Sequence, residues 1–104
     1  MKIQNEIINN PFQYKIIKFL YNSSSEDNLE NYIELDLQKD FDIKRLRFYN
    51  STNLQIEKGF PFPTDGMEIL DISSNGWEDI NVEVGDFESS HGSITFYAKN
   101  VIEL

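Results

Sequence analysis

The sequence predicts an antiparallel all-β sandwich of about seven or eight strands, on three observations. Short stretches alternate apolar and polar residues, as where Ile33, Leu35 and Leu37 interleave with Tyr32, Glu34 and Asp36, and period two marks a strand with one buried face. Clusters of turn formers, such as Asn-Ser-Ser-Ser from 22 and Asn50–Asn53, separate those stretches at short intervals. The inward-parity residues are also too many for one open sheet, which favours two sheets packed face to face. With 104 residues the chain reads as a single domain, 1–104, able to bury about 60–70% of its unfolded surface.

Taken in order, Ile3, Ile7 and Ile8 are spaced as on one helix face with Asn9-Asn10-Pro11 behind them, which admits one short N-terminal helix. Tyr14–Tyr21, YKIIKFLY, is apolar at both parities and is expected to be a strand buried on most of both faces. Leu29–Leu37 is an amphipathic strand paired with it. A charged turn, Lys39–Asp42, leads into a strand over Ile43–Tyr49, with Leu46 and Phe48 inward and Arg45, Arg47 and Tyr49 outward. The polar connection Asn50–Asn53 should then make a hairpin with the strand carrying Leu54 and Ile56. Gly59–Gly66 holds two of the three prolines, so it is a loop or edge crossing, with Phe60 and Phe62 available to cover one end of the core.

Residues 68–88, EILDISSNGWEDINVEVGDFE, are expected to form a hairpin turning at Asn75-Gly76, since both residues tolerate the positive φ of a type I′ turn. Leu70, Ile72, Ile80, Val82 and Val84 would face the core, leaving Asp71, Glu78, Asp79, Glu83, Asp86 and Glu88 near solvent with the sole tryptophan, Trp77, among them. In the closing strand Ile94, Phe96 and Ala98 share a parity that Ile102 and Leu104 continue, with a break at Lys99-Asn100.

Charge is segregated. The formal net charge is −9, and residues 65–104 hold nine acids and one base, Lys99, against nine acids and eight bases in 1–64. Such a field repels nucleic acid and anionic lipid at the acidic end and steers a basic partner towards it. There is no cysteine, which excludes disulfides and thiolate chemistry and fits a reducing, cytoplasmic setting. No apolar run approaches the length of a membrane span.

Weighed for chemistry, the remaining motifs are thin. Asp71 to Gly76 looks like half of a calcium loop, but Val82 stands where its twelfth-position acid belongs, so no metal is expected. The only histidine, His91, lies in a Ser/Gly loop with no base or nucleophile beside it in sequence. A carboxylate pair for glycoside hydrolysis needs a cleft that short loops do not build. Neither a catalytic residue nor a cofactor is expected. Lys44, Arg45 and Arg47 are expected to pair across strands with Glu34, Asp36 or Glu57 and not to bind nucleic acid.

From Ile43 to Leu104 the succession KRLRFYN, NLQIEKGF, MEILDIS, GWEDINVEVGDFE and SITFYAKNVIEL resembles the small all-β immunity proteins of bacterial contact-dependent growth inhibition and related polymorphic toxin systems. It departs from their pattern after Pro11-Phe12, where Gln13-Tyr14 replaces His-Asp. The resemblance implies a non-enzymatic inhibitor that blocks a cognate toxin domain, a basic nuclease and by preference a ribonuclease, inside the producing cell. An acidic inhibitor suits such a target, because a nuclease holds phosphates with basic residues. The expected toxin-binding residues are Asp71, Trp77, Glu78, Asp79, Glu83, Asp86 and Glu88, with no membrane or nucleic-acid partner. The other function the residues admit is a β-sandwich module that stacks a sugar or other small ligand on Trp77 beside the carboxylates.

Overall fold

The computed structural model describes residues 2–23, 30–57, 67–86 and 94–104, with Asp86 placed by its backbone. Eight strands are found among them: β1 (Lys15–Asn22), β2 (Tyr32–Lys39), β3 (Asp42–Tyr49), β4 (Thr52–Ile56), β5 (Met67–Asp71), β6 (Val82–Asp86), β7 (Ile94–Ala98) and β8 (Asn100–Glu103). They form two four-stranded antiparallel sheets, ordered β1-β2-β3-β8 and β4-β7-β6-β5. Ile33, Leu35, Leu37, Leu46 and Phe48 of the first sheet pack on Met67, Ile69, Val82, Val84, Ile94, Phe96 and Ala98 of the second. Phe48 meets Phe96 edge to face, with ring centroids 5.0 Å apart, the arrangement the aromatic quadrupole favours. The expected sandwich is therefore present.

The expected N-terminal helix is not. Residues 3–5 instead lie along the free edge of β5, where the Asn5 amide donates to the Ile69 carbonyl and the Asp71 amide to that of Ile3, at 2.9 and 2.8 Å. The Asn5 side chain then accepts the Ile7 amide at 3.0 Å, and Asn10 adopts a left-handed φ of 51° before a single 3₁₀ turn, Pro11–Gln13. Asparagine turns and an unpaired strand edge outcompete a short helix rich in Asn and Ile. Ile8 is delivered to the core while Ile3 stays exposed.

β1 also differs from expectation, because it is an edge strand with Ile16 buried but Ile17 and Tyr21 nearly half exposed. A register shift between Ile16 and Lys18 interrupts its pairing with β2. Apolar residues at both parities thus reflect an edge strand with a bulge, not two covered faces.

No hairpin joins β3 to β4. β3 pairs with β2 and β8, whereas β4 crosses to the second sheet and pairs with β7. The corner is fixed by Asn31, whose side-chain oxygen accepts the amide and the hydroxyl of buried Ser51, each at 2.7 Å, and by left-handed Asn50 at φ 54°. The chain changes sheets again at Lys99, between β7 and β8, and there the parity resets. Val101 packs on the core, while Ile102 and Leu104, expected to continue the inward row, are exposed.

Candidate functional site

The two outer faces of the sandwich differ in how their charges are used. On the first sheet, Glu34 of β2 faces Arg47 of β3 and Asp36 faces Arg45. Arg47 donates to Glu34 Oε1 through Nε at 2.9 Å and through Nη2, and Lys18 Nζ lies 3.4 Å from Glu34 Oε2. The Arg47 guanidinium lies over the Tyr32 ring at 4.2 Å and donates to the Tyr49 hydroxyl at 3.2 Å. The Arg47 hydrogen bonds hold the Glu34 carboxyl below its ordinary value against the opposing effect of burial, and the Arg47 pKa is raised. Asp36 meets Arg45 at 3.5 Å. The basic cluster is therefore paired with Glu34 and Asp36 as its sequence implied, except that Lys44 reaches Glu103 and Asp42 instead, at 3.8 and 4.0 Å.

The second sheet carries the acidic face. β5 and β6 do form an antiparallel pair, but the expected Asn75-Gly76 turn does not join them. Residues 72–81 make a longer connection with a 3₁₀ turn at Ser73–Asn75, and only Gly76 and Asp79 have positive φ, at 72° and 57°. The Asp71 carboxylate accepts the Ser73 hydroxyl and amide at 2.6 and 2.9 Å, which lowers its pKa. This starts the turn before Asn75 is reached.

That geometry divides the expected site residues. Asp71 opposes Val82 and shares the parity of inward Ile69, whereas Glu83 opposes Leu70 on the outer face. Asp71 and Glu83 are therefore on opposite sides of the sheet, and Asp71 is occupied in holding the turn. The expected inward parity of β5 was one residue out: Met67 and Ile69 join the core, while Leu70 is covered on the outside where Gln4 bridges to it. Glu78 and Asp79 are exposed in the connection and Ile80 is half-buried there, before β6 begins. Trp77, 48% exposed, stands edge-on to Tyr97 of β7 with centroids 5.7 Å apart. Tyr97 is the cross-strand neighbour of Glu83, so tryptophan, tyrosine and glutamate follow one another across this face. Asp86 ends β6; Glu88, His91, Phe60 and Phe62 lie outside the described residues.

Beside Glu83 is a groove of about 300 Å³ lined by Asn53, Gln55, Glu68, Glu83, Gly85, Thr95 and Tyr97, among others. Glu68, Tyr97 and the amides of Asn53 and Gln55 were not among the residues singled out from sequence. Their polar parity was legible, but placing them together requires knowing that β4 and β7 adjoin β6 and β5 in the second sheet. Among the described residues no group of three or more His, Cys, Asp or Glu is placed to hold a metal ion, and no helix is long and apolar enough to cross a membrane. Comparison with protein-family models, with curated proteins and with solved structures finds no match to this chain.

Proposed function

We propose that this protein is an immunity protein that binds a cognate basic toxin domain, a nuclease and by preference a ribonuclease, and neutralises it by covering its active site with the acidic outer face of the second sheet. The observation that carries the reading is the contrast between the two faces. Arg47, Arg45 and Lys18 are matched by carboxylates on the first sheet, whereas among the described residues Glu78, Asp79 and Glu83 form no salt bridge. Unmatched carboxylates around a half-exposed tryptophan supply both long-range attraction for a basic protein and an apolar anchor at its centre. The same carboxylates repel nucleic acid, so the partner is protein.

The test begins with the genes beside this one: a toxin domain encoded there should be neutralised when co-expressed with this chain, and the absence of one would count against the reading. The double variant Glu78→Lys, Asp79→Lys is expected to lose protection while keeping its β-type circular dichroism and cooperative melt. Full protection by the reversed protein would place the interface elsewhere. The groove next to Tyr97 favours one other reading, a module for a small polar ligand; saturable binding of a neutral sugar, with no toxin to neutralise, would establish it instead.

A further inference from the structure

The groove on the acidic face has a construction that surface charge alone does not explain. Glu68 lies on β5 with nine-tenths of its surface covered, yet it is among the residues that line the groove, together with Glu83, Asn53 and Gln55. A buried carboxylate is costly unless a cation faces it. The chain supplies one itself: Lys2 Nζ lies 2.8 Å from Glu68 Oε1, and its pKa is raised first by that hydrogen bond and, among lesser causes, by Glu83. The Lys2 side chain remains 60% exposed, and it reaches Glu68 from the short arm laid along β5. An alkylammonium is thus already seated on Glu68, carried by a side chain that stays mostly in solvent.

Gly85 keeps the groove open. It faces Glu68 across the β5–β6 pair, and a Cβ added there would lie 4.0 Å from Glu68 Cγ and Oε1. That is ordinary contact, and Gly85 is not among the residues with positive φ. The backbone therefore accepts a side chain at this position, and its lack of one leaves space beside two carboxylates and the Tyr97 ring.

We propose that this groove receives a basic side chain, arginine or lysine, of the protein partner, with Glu68 and Glu83 as counter-charges, the Tyr97 ring as a wall, and Lys2 as the internal occupant it displaces from Glu68. The inference rests on the acidic face being the binding surface, and it adds the type of residue that anchors the partner. A guanidinium suits the groove well, since its planar donors can reach carboxylate and carboxamide oxygens together while its face lies on an aromatic ring.

The probes are Nα-acetyl-arginine methylamide, the equivalent lysine compound and neutral acetyl-citrulline methylamide, titrated into the full chain. Amide shifts of Glu83 and Gly85 and the fluorescence of Trp77, whose ring contacts Tyr97, are followed. Both cations should bind saturably and citrulline should not. Lys2→Ala should tighten arginine binding about two- to fivefold, the worth of one exposed ion pair. Gly85→Val should abolish it, while Gly85→Ala, which adds only a tolerated Cβ, should retain it and show that the strand still folds. No saturable response in the wild type, or an equal response in Gly85→Val, would overturn the groove. If that happens while Glu78→Lys, Asp79→Lys still loses protection, toxin neutralisation stands without the groove. Arginine binding alongside full protection by the reversed protein would keep the groove and remove the acidic loop from the interface.

Discussion

Glu34 shows how one buried charge is made tolerable. It sits on a central strand with its side chain 11% exposed, and Arg47, at 27%, is pressed between it and the rings of Tyr32 and Tyr49. Removing one member of such a pair leaves the other partly desolvated without its match. Glu34→Gln keeps the shape and removes the charge, and it should destabilise the fold by about 1–3 kcal/mol in urea unfolding at pH 7. The pH dependence has a definite sign. The folded pKa of Glu34 is lowered from an unfolded value near 4.5, so its stabilisation is complete above that pH and is lost as pH falls through the lower folded value. The difference between wild type and Glu34→Gln should therefore be constant above about pH 5 and shrink in more acidic solution; a difference that grew there would contradict this account. Alternation and opposite charge made this pair legible in the sequence, because cross-strand neighbours of opposite sign are the simplest way to satisfy both.

Among the elements, the stretches with clean alternation were the ones sequence could place. Ile33, Leu35 and Leu37, with Leu46 and Phe48 opposite, are fully buried as their spacing implied. Connections were less legible, because local chemistry says that a turn occurs but not which sheet the next strand joins. Asn50–Asn53 reads as a hairpin turn and serves as a corner between sheets; Asn75-Gly76 reads as a type I′ turn, yet the Asp71–Ser73 hydrogen bonds begin the reversal earlier. The acidic residues were visible as a set, but their division between faces depended on the parity of β5, which Leu70 disguised by being covered on the outside by the N-terminal arm. The corner provides a direct test. Asn31→Ala strips the acceptor from two donors of buried Ser51, and it should cost about 2 kcal/mol. Amide exchange should quicken first at Ser51 and Thr52, whereas a uniform change across both sheets would show that the corner is not a local bolt.

On the scale of the whole molecule, charge follows the architecture. The carboxylates of β2 lie within a strand bracketed by basic neighbours, while those after residue 65 share that stretch with Lys99 as their only base. Lys99 is itself directed to Glu30, 3.3 Å away and on the other side of the sequence. The acidic face is thus left as a source of field, and in a field-steered complex the encounter rate should carry most of the salt dependence, because screening acts over about 8–10 Å at ordinary ionic strength. The central proposal, that this face captures a basic toxin domain, is tested most directly by stopped-flow association with a toxin domain against which the chain protects cells, measured from low to high salt. The association rate should fall by about tenfold or more while dissociation changes little; an association rate flat across that range would contradict it.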